Sequence, residues 1–386
     1  MKTDLLNEVS EHTPCYVFDS DSLYERVNGI KKILGDAGCC FAVKANPFLT
    51  GILGELCDRL EVCSPGEYEI CRESNAGADK LIISGVNKSH ESMERIITST
   101  CGKSIYTLES KRHYDIISDI CRENDIHVRV LVRLSSGNQF GMSKTAFEEI
   151  LPDLQRDDYV ELCGIHFYSG TQKKVSRMEK ELRELDEYAL HIRERFGITN
   201  LELEYGPGLS YDYFGEKPKD EYEDLRTLRA FLDNIHNFKS ITVEMGRYIS
   251  SCCGYYVTRV ADVKENDGRS YCIVDGGIHQ LNYYGQLMGM KLPHFEAAGR
   301  KAGAGDRKWT VCGSLCTAGD VIMKEAPLGD MEIGDVLIFK DCGAYSVTEG
   351  MSLFLSRNLP EIYIYSEDNG FQKIRDAVET YKLNEI

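Results

Sequence analysis

The residue best suited to chemistry is Lys44, in the stretch Phe41-Ala-Val-Lys-Ala-Asn-Pro47. Residues 39–41 are apolar enough for a buried strand. Asn46-Pro47 ends that strand, because proline lacks a backbone donor and disfavours helix at the residue before it. Lys44 is therefore predicted at the carboxyl end of a strand, where parallel α/β proteins place their ligand chemistry. A desolvated lysine there is a nucleophile suited to a Schiff base, while a strand-end lysine reaching solvent is the equally open alternative.

The elements around this lysine alternate between strand and helix from residue 13 to about residue 265. A strand over 13–19 precedes an amphipathic helix over 20–34, and a charged amphipathic helix is predicted over 174–196. Eight further strand candidates are short and apolar: 39–43, 59–63, 81–84, 104–107, 127–134, 160–167, 200–204 and 240–244. This pattern predicts an α/β fold, a (β/α)₈ TIM barrel over residues 25–265.

The pattern changes after Lys264, where short strands are separated by glycine-rich turns. The strand candidates of this part are 271–274, 309–311, 336–339 and 361–365. A final helix is predicted over 372–381. The sequence therefore predicts a C-terminal all-β domain that also takes in the N-terminal strand, made of residues 1–24 and 266–386.

Composition excludes several classes of function. The 386 residues carry a formal net charge of −17, which argues against nucleic acid or an anionic membrane as a partner. No apolar run approaches the length of a membrane span. The fifteen cysteines show neither CxxC pairs nor Cys/His ligand spacing, so no metal site is predicted. With no apolar signal segment after Met1, the cysteines indicate reduced thiols in a cytoplasm.

The stretch around Lys44 resembles the lysine motif of the fold-type III decarboxylases, the diaminopimelate and ornithine decarboxylase family with the alanine-racemase-like fold. Further family motifs follow in family order over residues 13 to 375. The resemblance implies pyridoxal 5'-phosphate (PLP) as the cofactor and Lys44 as the catalytic lysine that binds it covalently.

The middle barrel strands carry two of these motifs. Arg133 matches an arginine that the family places near the phenolic oxygen of PLP, although a surface ion pair is an alternative. The segment 164–172 resembles the family's GxHxHxGSQ. His166 matches its first histidine, which is as consistent with a structural barrel residue as with a catalytic one. Tyr168 replaces the histidine that stacks on the pyridine ring, and Thr171 replaces a phosphate-binding serine.

The loop after the seventh barrel strand resembles the family's GGG phosphate loop. In Glu204-Tyr-Gly-Pro-Gly-Leu209, the residues Gly206 and Gly208 would let backbone N–H groups approach the phosphate. A plain turn is the alternative, but late barrel loops are favoured places for phosphate sites.

Glu244-Met-Gly-Arg247 resembles the family's EPGR motif. The resemblance places Glu244 against the pyridine nitrogen, where a carboxylate keeps that nitrogen protonated. It places Gly246 where backbone passes close to the cofactor, and Arg247 near the phosphate.

Two motifs of the β-domain imply a homodimer with shared active sites. The segment 313–320 resembles the family's CESxD. Cys316 matches a cysteine that reaches the neighbouring subunit's site and returns a proton, although a structural cysteine is the alternative. Asp320 matches the family aspartate, and Thr317 replaces a substrate-contacting acidic residue. Gly343-Ala-Tyr345 resembles the family's GAY, whose tyrosine contacts phosphate from the other subunit.

The substrate end of the site departs from the family. Thr317 removes an acidic group, and the segment 278–285 lacks the arginine that binds a distal carboxylate in diaminopimelate decarboxylases. Tyr284 and the methionines after it suit a larger, less charged ligand, so we assign Tyr284, Thr317 and Asp320 to substrate binding. The sequence predicts a decarboxylase acting on a small-molecule amino acid that is modified or carrier-linked.

Three alternatives stay open at this point. The first is a meso-diaminopimelate decarboxylase that makes L-lysine. The second is a PLP-dependent racemase, against which Glu244 argues because racemases of this fold place arginine at the pyridine nitrogen. The third is a non-catalytic PLP-binding relative, against which the intact Lys44 and Cys316 argue.

Overall fold

A computed structural model describes residues 3–215, 220–298 and 307–386. The chain divides into two compact units. Unit 1 comprises Met1–Arg26, Tyr211–Lys219 and Ile249–Ile386, and unit 2 comprises Val27–Ser210 and Asp220–Tyr248. The chain starts with a 3-10 helix over Thr3–His12, which strand β1 (Cys15–Asp19) and helix α1 (Ser20–Leu34) follow.

Unit 2 contains a closed barrel of eight parallel strands in sequence order, as the sequence predicted. Its strands are β2 (Gly38–Ala42), β3 (Arg59–Val62), β4 (Leu81–Ile83), β5 (Ile105–Leu108), β6 (Val128–Leu134), β7 (Val160–Tyr168), β8 (Glu202–Gly206) and β9 (Ser240–Met245). Side chains from five of these strands form a buried cluster of Cys40, Ile82, Ile105, Leu131 and Cys163. The barrel is therefore a packed core, and chemistry is confined to its ends.

Helices follow the barrel strands: α2 (Thr50–Leu56), α3 (Pro65–Glu73), α4 (His90–Thr100), α5 (Lys111–Asn124), α6 (Lys144–Leu154), α7 (Val175–Phe196), α8 (Glu223–Leu232) and α9 (Arg247–Ser250). Serine side chains cap the amino ends of α3 to α6 by accepting a backbone N–H three residues on: Ser64, Ser89, Ser110 and Ser143. Gly197 ends α7 in the left-handed conformation. These caps fix where each strand-to-helix loop ends, and so position the loop residues at the barrel mouth.

Unit 1 is mostly β-sheet. After α9 come β10 (Gly254–Asn266), β11 (Arg269–Val274), β12 (Phe295–Ala297), β13 (Lys308–Cys312), β14 (Val321–Pro327), β15 (Val336–Phe339), β16 (Glu361–Ser366) and β17 (Gly370–Arg375), and then the short helix α10 (Tyr381–Asn384). The described strands pair in the order β14-β13-β11-β10-β1-β16-β17, with β15 joining β10 to β12. The N-terminal strand is thus part of this sheet, as predicted. Residues 254–265, which the sequence predicts as part of the barrel domain, belong instead to β10, which pairs with β1, β11 and β15.

The predicted helix over 372–381 is wrong. Residues 370–375 form β17, which pairs antiparallel with β16. Phe371 packs against Tyr365 with ring centroids 4.9 Å apart, so a cross-strand aromatic contact favours the strand. In the described part of the chain, no helix combines the length and apolarity needed to cross a membrane.

Candidate active site

Lys44 lies in the 3-10 turn Val43–Ala45, directly after β2. Its Nζ atom donates a hydrogen bond to Oε2 of Glu61 at 2.5 Å and lies 3.8 Å from Oε1 of Glu244. The Lys44 side chain is 36% exposed, whereas the two glutamates are 3% and 6% exposed. Two buried carboxylates therefore hold the amine at the carboxyl end of the barrel strands, where a ligand can still reach it.

Glu61 and Cys63 belong to this cluster and were missed by sequence reasoning. Burial opposes the ionisation of Glu61, but the charge of Lys44 and hydrogen bonds from Cys63 and Lys44 prevail and lower its pKa to about 2. The Cys63 thiol donates to Oε1 of Glu61 at 2.9 Å, and its Sγ lies 3.5 Å from Nζ of Lys44. Burial, and then the charge of Glu61, raise the pKa of this thiol. The available signal was the carboxylate inside the predicted buried strand 59–63, because a buried charge requires a partner.

Glu244 is also held by His166. The imidazole Nε2 of His166 lies 2.9 Å from Oε2 of Glu244, and both side chains are buried. A carboxylate only accepts, so Nε2 is the donor in this pair. Nδ1 of His166 is buried and has no hydrogen-bond partner among the described residues. The structure thus brings together three of the predicted site residues, Lys44, His166 and Glu244.

Tyr168 lies two residues beyond His166 on β7, against the loop that follows β8. A Cβ at Gly206 would lie 2.6 Å from Cδ2 of Tyr168, so glycine leaves room for the phenol ring. Burial raises the pKa of Tyr168, the charge of Lys44 opposes this effect, and Glu244 adds to it. The phenol is neutral beside the charged cluster.

Gly208 has φ +62, a conformation that favours glycine. A Cβ there would lie 2.0 Å from the carbonyl oxygen of Gly170 and 3.1 Å from Cα of Thr171. Main chain from the loops after β7 and β8 therefore meets closely at these residues. This contact brings Thr171 next to Gly208, as the phosphate-loop hypothesis requires.

Arg133 is buried at the end of β6. Its Nη1 donates to Oε1 of Glu109 at 3.1 Å, and its guanidinium lies 4.8 Å from the ring centroid of Phe140. The second carboxylate oxygen of Glu109 accepts the N–H of Gly141 at 2.9 Å. The structure excludes a surface ion pair for Arg133, because its side chain is only 10% exposed and that of Glu109 only 5%. Sequence reasoning missed Glu109, since nothing in the sequence connects it to Arg133.

Lys88 is a buried lysine that sequence reasoning missed. Its Nζ donates to the carbonyl oxygens of Ser84 at 2.9 Å and Gly85 at 2.7 Å. Burial lowers its pKa to about 8, although Glu109 acts in the opposite direction. Glycine is required at Gly85, because a Cβ there would lie 2.2 Å from the carbonyl oxygen of Cys63. Gly85, whose carbonyl accepts a hydrogen bond from Lys88, therefore lies against the end of β3, the strand that carries Glu61.

The remaining predicted site residues of the barrel follow β9. Gly246 comes directly after this strand, and Arg247 begins α9 with only 8% of its surface exposed. The positive charge of Arg247 acts on the phenol of Tyr168. Both residues therefore belong to the same end of the barrel as Lys44.

Five predicted site residues lie in unit 1. Cys316, Thr317 and Tyr284 are exposed. Tyr345 is half-buried with φ +67. Asp320 is buried, with main-chain N–H groups donating to both of its carboxylate oxygens.

The residues of the barrel end fit PLP. An amine flanked by buried carboxylates suits an aldehyde cofactor with a basic ring nitrogen. Gly206 and Gly208 let the loops after β7 and β8 pack closely against each other, and glycine-rich main chain at such a loop suits a phosphate. A closed parallel barrel with such a lysine defines the class of PLP-dependent barrel enzymes.

The family model "Pyridoxal-dependent decarboxylase, pyridoxal binding domain" matches residues 20–251, more than half of the chain. The chain belongs to this family. It is a PLP-dependent amino-acid decarboxylase, and PLP is its cofactor.

Individual relatives match nearly the whole chain. Diaminopimelate decarboxylase from Aquifex aeolicus is 25% identical over 396 residues, which cover 96% of this chain and 90% of the relative. L-glutamyl-[BtrI acyl-carrier protein] decarboxylase from Niallia circulans is 25% identical over 94% of this chain and 91% of the relative. The crystal structure of diaminopimelate decarboxylase from M. jannaschii superimposes with a TM-score of 0.86, at 21% identity, over 98% of this chain and 93% of that chain. The last similarity supports the fold.

Proposed function

We propose that this enzyme removes the α-carboxylate of an amino acid whose side chain is modified or linked to a carrier. The observation that carries the reaction is the amine of Lys44 between the carboxylates of Glu61 and Glu244. When bound, PLP draws the electron pair of the breaking Cα–carboxylate bond into its ring. Lys44 would hold the cofactor covalently at the barrel mouth.

Buried polar residues would orient the ring. Glu244 would face the pyridine nitrogen and keep it protonated, and the hydrogen bond from His166 fixes the orientation of that carboxylate. Tyr168 would stack on the ring, since its neutral phenol offers an aromatic face. Arg133 would bind the phenolic oxygen, with Glu109 holding the guanidinium in place.

Main chain and two side chains would hold the phosphate. Gly206 and Gly208 would offer main-chain N–H groups, and Thr171, whose Cα lies close to Gly208, would add a hydroxyl. Gly246 keeps the main chain after β9 open to the cofactor, and Arg247 would supply positive charge. This distribution uses loops from three neighbouring strands, as barrel phosphate sites do.

The proposed substrate follows from missing charges. Thr317 is exposed and uncharged where family members carry an acidic residue, and the segment 278–285 contains no arginine. A charge-assisted hydrogen bond is worth about 1.5–3 kcal/mol, so either loss would weaken the binding of a small charged side chain. The exposed Tyr284 instead offers an aromatic surface to a larger group. The relative from N. circulans, named for a carrier-linked substrate, supports the same substrate class.

The test is a comparison of kcat/KM for CO₂ release between free diamino acids and amino acids conjugated through the side chain or to a carrier thioester. We expect kcat/KM to be at least about tenfold higher for the conjugates. The reason is that free diamino acids lack one charge-assisted hydrogen bond, which corresponds to about that factor. Diaminopimelate decarboxylation is the second candidate, favoured by the activity in the name of the A. aeolicus relative. A kcat/KM of about 10⁴ M⁻¹s⁻¹ or more for free meso-diaminopimelate would establish that candidate instead.

We also propose a homodimer in which Cys316 serves the partner's site by delivering its Sγ proton to Cα of the product. Cys316 belongs to the segment 314–324, which is hydrogen-bonded to the segments 282–290 and 349–357. The bonds join Lys324 to Gly289 at 3.0 Å and Arg357 to Ser314 at 2.7 Å, and Asn282 bonds to Glu349 at 2.6 Å. Large apolar side chains are exposed on two of these segments: Leu287, Met288, Met290, Met351, Leu353, Phe354 and Leu355. An apolar surface around an exposed thiol fits an interface with a second copy. Tyr345 would reach the partner's phosphate from the same domain.

We propose a reducing compartment, the cytoplasm, for this enzyme. All fifteen cysteines are free thiols in the structure, and most of them are buried. Thiols in such numbers persist where the redox environment keeps them reduced.

A further inference from the structure

Asp320 accepts two main-chain hydrogen bonds that join different loops of unit 1. Its Oδ1 accepts the N–H of Ile278 at 2.8 Å, and its Oδ2 accepts the N–H of Leu315 at 2.8 Å. Only 2% of the residue is exposed. The carboxylate is therefore directed into the main chain and presents almost no surface to a substrate.

Two glycines enclose this carboxylate. A Cβ at Gly277 would lie 2.7 Å from its Oδ2, and a Cβ at Gly313 would lie 2.3 Å from the same atom. Main-chain bonds complete the contact, since the N–H of Ser314 donates to the carbonyl of Gly276 at 2.7 Å. The loop 313–320 is thus fastened at both of its ends: at Gly313 to Leu315, and at Asp320 itself.

The loop that is fastened in this way carries Cys316, the residue directly after Leu315. Cys316 and Thr317 are exposed, and the hydroxyl of Thr317 accepts the N–H of Gly319 at 3.3 Å inside the same loop, so this contact does not fasten the loop to its surroundings. Asp320 also fixes Ile278, which begins the segment that leads to Tyr284. The Tyr284 end of this segment is held separately, since the N–H of Asn282 donates to the hydroxyl of Ser346 at 3.2 Å and the hydroxyl of Tyr283 donates to the carbonyl of Lys340 at 2.5 Å.

We infer that Asp320 is a positioning residue that acts through Cys316, in place of the substrate-binding role that the sequence suggested for it. The inference rests on the proposed role of Cys316. Loss of one acceptor oxygen should release the N–H of Leu315 or of Ile278 and let the loop move. The thiol would then be misplaced, although the substrate would bind as before.

The test combines kinetics with amide hydrogen exchange on the holoenzyme. Asp320→Asn keeps the shape of the side chain but replaces one acceptor with a donor that faces an N–H group. We expect kcat to fall at least about tenfold with KM changed by less than about twofold. Exchange of the amides in 276–280 and 313–318 should become at least about tenfold faster, since their hydrogen bonds are broken.

A double-mutant cycle decides whether Asp320 acts through Cys316. In a Cys316→Ala background, Asp320→Asn should lower kcat by less than about twofold, because the thiol that it positions is already gone. Asp335→Asn is the matched control. Asp335 accepts the N–H of Glu332 at 2.7 Å in a turn of the same unit, so its substitution should leave kcat unchanged.

Three outcomes would overturn the inference: a raised KM with unchanged kcat and exchange, faster exchange with unchanged kcat, or full additivity with Cys316→Ala. Gly277→Ala covers the case in which Asp320→Asn does not fold. This substitution keeps the charge of Asp320 but crowds its carboxylate, so it should reproduce the faster exchange and the lower kcat. Unchanged exchange rates and an unchanged kcat would equally reject the inference. If the wild type released no CO₂ from any amino acid, the proposed function would fail, while the exchange data would still measure the fastening of the loop.

Discussion

Lys44, which is partly exposed, and Lys88, which is buried, lie at the same end of the barrel and differ in what surrounds their amines. Lys44 donates to the carboxylate of Glu61, and Glu244 lies close by. Lys88 donates to carbonyl oxygens of its own loop and lies 3.5 Å from the hydroxyl of Thr107. Carbonyl dipoles compensate desolvation less than a carboxylate does, so the pKa of Lys88 falls to about 8. Only Lys44 combines anionic partners with exposure to a ligand, which is why we assign the cofactor to it.

Lys44→Ala should remove the absorption band of lysine-bound PLP and lower kcat by at least about 10³-fold, because the covalent attachment is lost. The measurement is the absorption spectrum together with CO₂ release. Lys80→Ala is the control, since Lys80 donates to the carbonyl of Gly54 at 2.7 Å, and it should leave both readouts unchanged. A variant at position 44 that still formed a borohydride-reducible PLP adduct would contradict the assignment.

Lys88 gives a stability prediction with a definite sign. Burial lowers its pKa from 10.5 to about 8, so between these pH values the unfolded chain binds a proton that the native protein does not. The free energy of unfolding should therefore gain up to about 3 kcal/mol from Lys88 as pH rises through this window, and this gain should be absent below pH 8. Urea unfolding of wild type and Lys88→Met should diverge by that amount between pH 8 and 10.5. The neighbouring Glu61, Cys63 and Glu109 are common to both proteins, and a pH-independent difference would show that Lys88 is not desolvated.

At the scale of elements, the barrel strands were predictable because each is a short apolar run followed by a helix with a recognisable start. Serine caps such as Ser64 and Ser110 mark those starts, and all eight strand candidates coincide with barrel strands. The helix over 372–381 was wrong because its charged residues suit a helix locally, while pairing with β16 is decided by contacts outside the segment.

Within the site, only the residues that belong to family motifs were predictable from the sequence. Lys44, His166 and Glu244 were identified by family resemblance, and the barrel brings them together. Glu61 and Glu109 were not identified, because their partners lie 17 and 24 residues away and meet them only through strand register. A charged residue at an inward position of a barrel strand therefore predicts an oppositely charged partner elsewhere in the sequence.

The loop after β8 provides a prediction about cofactor affinity. Gly208→Ala should raise the dissociation constant of PLP at least about tenfold, because its Cβ would lie 2.0 Å from the carbonyl oxygen of Gly170 and would force the two loops apart. Gly197→Ala is matched to it, with φ +72 and no atom within 4 Å of the added Cβ. That control should lose about 1–2 kcal/mol of stability from backbone strain and keep its PLP affinity. Equal PLP binding by Gly208→Ala and wild type, measured by fluorescence titration after cofactor removal, would exclude the phosphate loop.

At the scale of the whole molecule, residues of both subunits would form each active site of the proposed dimer. Lys44 and Glu244 come from the barrel of one subunit, and Cys316 would come from the β-unit of the other. A substitution of Lys44 and a substitution of Cys316 then affect the same active site only when they are in different subunits. This arrangement can be tested without knowing the interface in detail.

Mixing inactive Lys44→Ala subunits with Cys316→Ala subunits, which keep only a low residual activity, in equal amounts should restore about one quarter of the wild-type activity. Random exchange makes half of the dimers mixed, and each mixed dimer has one site in which Lys44 and Cys316 are both intact. The control mixture, Lys44→Ala with the double variant Lys44→Ala/Cys316→Ala, should stay inactive because no pairing restores a site. Native mass spectrometry measures the fraction of mixed dimers. If mixed dimers form and no activity returns, Cys316 acts within its own subunit or outside the reaction, and the shared active site is wrong.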